Sequence, residues 1–256
     1  MQLAVIKGSY GYHPENKVLS QISFELAQGR IMTILGQNGI GKTTLLKCMM
    51  GLLKWQEGET RVDGQVFTSM LDRDGIGYVP QAHKTVFAFS VFDMVTMGRS
   101  RHVSIFGMPS KLDREKVLEA LSIVGIIDFK DQLCSQLSGG QLQLVYIARA
   151  LANEPKILIM DEPESHLDFK NQFLVLKLIQ RLKDEQGISC IINTHYPEHA
   201  LRISDDTLLL GKGQYGFGPS HEMITEANIK DYFEVNAKIY TIPGLNNQKK
   251  AFTVVD

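Results

Sequence analysis

The residues Gly36-Gln37-Asn38-Gly39-Ile40-Gly41-Lys42-Thr43 combine three glycines, a lysine and a hydroxyl at the spacing G-x-x-x-x-G-K-[ST]. Glycines let a backbone turn so that several N–H groups point inward, with no Cβ to block a phosphate. A helix starting at Lys42 would add its positive end to that cradle. The Lys42 ammonium suits β- and γ-phosphates, and the Thr43 hydroxyl is a hard oxygen ligand for Mg²⁺. Thr44 falls near an α-phosphate. Further on, the apolar run Ile157 to Met160 ends in Asp161 and Glu162. A buried strand ending beside a phosphate loop puts Asp161 in reach of the Mg²⁺ shell, commonly through water. Glu162 then faces the γ-phosphate and polarises an attacking water as general base. Together the two segments predict hydrolysis of ATP or GTP with Mg²⁺.

These groups need a scaffold that brings strand ends together. Ile31 to Leu35, Lys156 to Asp161, Ile188 to Thr194 and Thr207 to Leu210 read as buried strands, with a helix from Asn171 to Glu185. Strands separated by helices imply right-handed crossovers and a mostly parallel sheet with helices on both faces. The opening segment differs. Leu3 to Ile6, Ile22 to Leu26 and Thr60 to Val66 read as short strands, with turns at Pro14 to Asn16 and at Asp63-Gly64, which predicts an antiparallel subdomain. Ser90 to Ala152 reads as helical, with Val117, Leu118, Leu121 and Val124 on one face of a packed helix. The expected fold is therefore α/β. A P-loop NTPase core spans about 1–85 and 153–235, a helical subdomain is inserted at about 86–152, and a tail runs over 236–256.

At 256 residues the chain is long enough for one such domain with an inserted lobe. A net charge of −1 offers no global field to recruit nucleic acid or an acidic membrane. No apolar run approaches the roughly 20 residues of a spanning helix, and the N-terminus lacks a secretory pattern. Cys48, Cys134 and Cys190 lack metal-ligand spacing and fit buried thiols in a reducing cytosol.

Phosphate loops serve many ATPases and GTPases, and Leu137-Ser138-Gly139-Gly140-Gln141 discriminates among them. Ahead of a helix over Leu142 to Ala152, it resembles the signature sequence of ATP-binding-cassette (ABC) ATPases. The resemblance implies that the signature of one subunit covers the ATP on the phosphate loop of a second copy, in a head-to-tail dimer contacted through Ser138, Gly140 and Asp168. It spans Leu3 to about Val235. Gln81, in Tyr78-Val-Pro-Gln81, looks like the Q-loop glutamine that contacts Mg²⁺ or water. Ser165-His166-Leu167-Asp168 resembles the D-loop, and His195 the switch histidine that meets the γ-phosphate. Tyr12 corresponds to the aromatic that stacks on adenine, with Tyr10 the alternative. The chain departs from the family pattern at Glu164, where Thr is frequent, at Leu142, where Arg or Lys is, and at Tyr196, where Asp is. None of these removes a catalytic group.

Phe89 to Arg99, with Pro109-Ser110 and Asp113, is similar to importer ATPases for iron chelates, haem, cobalamin and molybdate, as is the segment from Gly216 to Phe233. In those proteins the former faces a permease's cytoplasmic coupling helix. The bland reading of Val91, Met94, Val95 and Met97 is packing within their own lobe. The expectation is an ATPase subunit on the cytoplasmic face of the membrane, bound to a permease dimer and working indirectly with a substrate-binding protein. The rivals are an exporter ATPase and a soluble ABC protein of DNA repair or translation. The latter generally carries two cassettes, a coiled coil or zinc spacing, none of which is present here.

Overall fold

The computed structural model describes residues 1–13, 15–70, 74–81, 88–104, 107–241 and 250–255. In chain order the elements are β1 (Leu3–Tyr10), β2 (Leu19–Leu26), β3 (Ile31–Leu35), α1 (Lys42–Met49), β4 (Glu57–Val62), β5 (Gln65–Phe67) and β6 (Ile76–Val79). Then come α2 (Val91–Thr96), α3 (Lys111–Val124), α4 (Gly139–Leu151), β7 (Ile157–Asp161), α5 (Phe169–Gln186) and β8 (Ser189–Thr194). The last are α6 (Pro197–Ile203), β9 (Asp206–Gly211), β10 (Gln214–Pro219), α7 (Ser220–Met223), α8 (Glu226–Phe233), β11 (Asn236–Thr241) and β12 (Lys250–Val255). The chain divides into two compact units, residues 1–73 with 189–256, and residues 74–188.

In the first unit β3 lies between β8 and β9, parallel to both, and β10 pairs antiparallel with β9. All five residues of β3 are buried, the pattern of a strand covered on both faces. The antiparallel sheet runs β2-β1-β4-β5. Thr60 to Val66 divides at Asp63 and Gly64 into β4 and β5, and both turn residues take positive φ (50° and 78°), as a tight hairpin requires. At the expected first turn, Asn16 N–H donates to the His13 carbonyl at 3.1 Å, while Pro14 lies outside the described residues. Where it is described, the tail forms a two-stranded sheet. β11 and β12 pair antiparallel, and Ala237, Ile239 and Phe252 join an apolar cluster with Leu35, Ala200, Leu209, Ile224 and Ile229.

In the second unit β6 and β7 pair in parallel. The helices start and stop as their sequences dictate. Ser110 and Asp113 form a capping box on α3, which ends at Gly125 with φ 76°. Asp168 caps α5, which ends at Gly187 with φ 65°. The expected apolar face of α3 needs one correction: Val117, Leu121 and Val124 are buried with Ala120, whereas Leu118 is 36% exposed. Leu118 follows Val117 by one residue, about 100° round the helix, and so turns off the stripe. On α2, Val91, Met94 and Val95 are buried, and Met97 just beyond it is 40% exposed.

Candidate functional site

In the first unit, β3 delivers the chain into Gly36 through Gly41 and then into α1. Two of the glycines are geometrically required. A Cβ at Gly36 would stand 2.5 Å from the Leu210 carbonyl oxygen, and Gly41 starts α1 with φ 113°, closed to L side chains. Lys42 is 5% exposed, and its Nζ donates to the carbonyls of Gly36 at 2.8 Å and Gln37 at 3.0 Å. The lysine thus lies folded along the loop it follows. Asn38 and Gly39 are exposed, Gln37 and Ile40 partly so, and Thr43 is exposed while Thr44 is buried. The Tyr12 hydroxyl and the Thr44 hydroxyl are 3.1 Å apart. Tyr12 is 59% exposed and meets Tyr10 edge-on at 5.3 Å, so of the two rings it is the one free to offer a face to a planar base.

His195 enters the same neighbourhood through strand register. Thr194, the last residue of β8, is aligned with Leu35, the last of β3, so His195 emerges one strand away from Gly36. Its ring packs on Tyr196 at 4.0 Å, and Tyr196 packs on His199 at 4.7 Å.

In the second unit every residue of β7 is buried, ending at Asp161 (7% exposed). Burial, with the Asp161 charge beside it, pushes the Tyr78 phenol up to about 12, so Tyr78 remains a neutral neighbour of that acid. Glu162 turns the chain sharply with φ 46°. Its Oε2 accepts from Ser165 Oγ at 2.7 Å and from Gln81 Nε2 at 3.4 Å, and the same Gln81 nitrogen is 3.5 Å from His166 Nε2. The segment after Gln81, residues 82–87, lies outside the described residues.

The signature segment is a helix N-terminus in full form. Gln141 N–H donates to Ser138 Oγ at 3.3 Å, and Ser138 N–H donates to Gln141 Oε1 at 2.9 Å. Ser138 and Gly139 are exposed at that positive end. Gly140 is buried, and a Cβ there would come within 2.6 Å of Asn171 Cγ. Asn171 in turn donates from both its backbone and its Nδ2 to Asp168, each at 2.8 Å. One asparagine therefore packs on Gly140 and holds Asp168. The sequence reading missed Asn171, Ser165 as a Glu162 partner, and Tyr196 as a ring against His195. Ser165 was findable, being a hydroxyl three residues past a carboxylate at a turn. The contact of Asn171 with Gly140 spans two helices and leaves no local mark. At the three departures, Leu142 and Glu164 are buried and Tyr196 is half-buried.

The oxygens of Thr43, Gln81 and Asp161 are all hard donors, the chemistry that Mg²⁺ prefers. Among the described residues no group of three or more His, Cys, Asp or Glu could hold a metal ion by themselves. Hard oxygen donors of this kind suit an ion that arrives with a nucleotide and keeps phosphate oxygens and waters in its shell.

A family model described as ABC transporter matches residues 19–165. The molybdate import ATP-binding protein MolC of Haemophilus influenzae is 36% identical over 233 residues, covering 91% of this chain and 88% of that protein. A solved chain of a transporter assigned to the metal-chelate ABC type, in an inward-facing conformation, superposes with a TM-score of 0.90. It is 34% identical, over 99% of this chain and 97% of that one. A dimeric ATP-binding cassette in a post-hydrolysis state, bound to ADP and Pi, superposes with a TM-score of 0.72 at 27% identity, covering 85% of this chain and 98% of that one.

Proposed function

The chain belongs to the ABC transporter family as an importer-type ATP-binding subunit, an ATPase coupled to transport, and from that premise we propose that two copies drive uptake of a metal chelate or an oxyanion such as molybdate. The observation that supports this reading best is the coexistence of a complete phosphate loop and an exposed, capped Ser138-Gly139-Gly140-Gln141 helix end in one chain. Each cassette has a nucleotide cradle and a second anion-seeking end to offer another copy.

In this mechanism the loop from Gly36 to Gly41 and the start of α1 hold the ATP phosphates, and Lys42 exchanges its loop carbonyls for β- and γ-phosphate oxygens. Tyr12 lies against the adenine, and Thr44 near the α-phosphate. Thr43, Gln81 and Asp161 would hold Mg²⁺, which neutralises phosphate charge when bound. Glu162, held by Ser165, accepts a proton from the attacking water as the bond from the γ-phosphorus to its bridging oxygen breaks. Gln81 orients that water, and His195 donates to the γ-phosphate. The signature end of α4 from a second copy closes over the nucleotide, and Asp168 contacts that copy. ATP favours the closed pair because only there does it gain the second set of contacts, which is the differential affinity a ligand-driven switch requires. The helical lobe would carry closure to a membrane permease, with a substrate-binding protein supplying cargo on the far side. The subunit then sits peripherally on the cytoplasmic face of the membrane. Among the described residues no helix is long and apolar enough to cross a membrane.

The test is Glu162→Gln. It should retain ATP, lose turnover on the order of 10²- to 10⁴-fold, and elute as a nucleotide-dependent dimer. Fast turnover from a monomeric species would overturn the assignment. The transport half is tested by what co-purifies from solubilised membranes: a permease of many spans supports it, and a soluble or nucleic-acid partner alone refutes it.

A further inference from the structure

The residue after the switch histidine is a tyrosine at the N-cap of α6, and it makes no side-chain capping bond. Helix starts favour Ser, Thr, Asp or Asn at that position, because a short oxygen satisfies the first N–H groups. Tyr196 gives up that stabilisation. Its backbone N–H is instead held by Thr194 Oγ1 at 3.2 Å, and its carbonyl accepts from His199 N–H at 3.1 Å. The ring meets two imidazoles. His195 lies 4.0 Å away with planes inclined at 37°, and His199, which is 7% exposed, lies 4.7 Å away at 44°. His199 is anchored in α6, so the stack is braced at its inner end and runs outward through Tyr196 to His195.

We propose that Tyr196 is a positioning residue for His195, its ring clamping the imidazole in the orientation that meets the γ-phosphate. The inference rests on the assignment of His195 to the nucleotide. An imidazole has two side-chain torsions that its surroundings must fix. A ring at 4.0 Å, itself backed by a buried ring, limits the orientations open to it before ATP arrives, which is what a preorganised donor needs. The task falls to the ring, which Tyr196→Phe retains.

The experiment is a kinetic comparison of His195→Ala, Tyr196→Phe, Tyr196→Leu and the double variant His195→Ala/Tyr196→Leu in the full chain, with ATP as substrate. Tyr196→Phe keeps the ring and should stay within about 2-fold of the parent kcat. Tyr196→Leu keeps most of the volume but not the ring wall, and should lower kcat about 10-fold with KM for ATP nearly unchanged. In the His195→Ala background, Tyr196→Leu should cost nothing further, because the group it positions is gone. Equal damage from Phe and Leu, an additive loss in the double variant, or a parent-like Tyr196→Leu would each overturn the proposal while leaving the role of His195 standing. A parent-like His195→Ala would overturn both. Thermal unfolding of each variant separates these losses from failure to fold: a Tyr196→Leu chain that loses activity only in proportion to its folded fraction also refutes positioning.

Discussion

Replacing Asp113 by Ala should destabilise the helical lobe by about 3 kcal/mol or more, a magnitude set by one buried ion pair. Arg99 and Asp113 are 3% and 4% exposed, and Arg99 Nε donates to Asp113 Oδ1 at 2.9 Å. Arg99 Nη1 also donates to the Ala152 carbonyl at 2.9 Å and to Glu154 at 3.3 Å, so the guanidinium joins the end of α2, the first turn of α3 and the C-terminus of α4. Removing the aspartate leaves a buried cation short of its nearest counter-charge, at a cost of about 3–5 kcal/mol. The reciprocal half of the capping box is lost as well, because Ser110 N–H and Oγ no longer find the carboxylate, while Ser110 Oγ still accepts from the backbone N–H of residue 113. Glu154 is more than half exposed and recovers part of this, which places the total at the low end. Ser110→Ala removes the cap alone and should cost about 1 kcal/mol. Arg99→Met with Asp113→Leu removes both charges and should regain most of the loss. Equilibrium urea unfolding followed by circular dichroism reads all of these. If Asp113→Ala costs no more than Ser110→Ala, the ion pair is not what ties these helices together.

The remaining expectations use independent assays. The Ser110 hydroxyl and N–H, with Arg99 next to them, hold the Asp113 carboxyl down at about 2. That depressed value stabilises the fold above the ordinary carboxylate range near ~4 and is lost as the pH falls through about 2, so the acid limb of stability between these values should be shallower in Asp113→Ala. Acid titration of the two proteins compares the slopes, and equal slopes would remove Asp113 as a cause. Lys42→Ala should weaken ATP binding about 10-fold or more, the worth of a charge-assisted hydrogen bond, with helix content unchanged; calorimetry showing parent affinity would displace Lys42 from the phosphates. Gly98→Ala should destabilise by roughly 1–3 kcal/mol, because its Cβ would stand 2.0 Å from the Arg149 backbone oxygen. A parent-like melting curve would show that this approach is not close in solution.

Much of the backbone around Gly36 to Thr43 was legible in the chain because it is local. The run from Ile31 to Thr43 encodes strand, glycine turn and helix within a few residues, and α1 begins at Lys42 as its pattern demands. The acidic end of β7 and the Ser138 to Gln141 cap are equally local, each needing only its neighbours along the chain. The expected apolar face of α3 went wrong only at Leu118, where adjacency in sequence was taken for adjacency on a helix face.

What needed the tertiary structure joins segments far apart in the chain. His195 lies one strand from Gly36 only because Leu35 and Thr194 share a register, and register is decided by which rows of side chains can be buried together. Gln81 reaches Glu162 across 81 positions, and Asn171 meets Gly140 because two helices pack at that point. The Arg99–Asp113 pair, 14 positions apart, belongs to the same class. A sequence carries residue types and local turns, and these determine which chemistry is available. Distances between remote side chains follow from long-range burial and hydrogen-bond ladders, which no short window of residues contains.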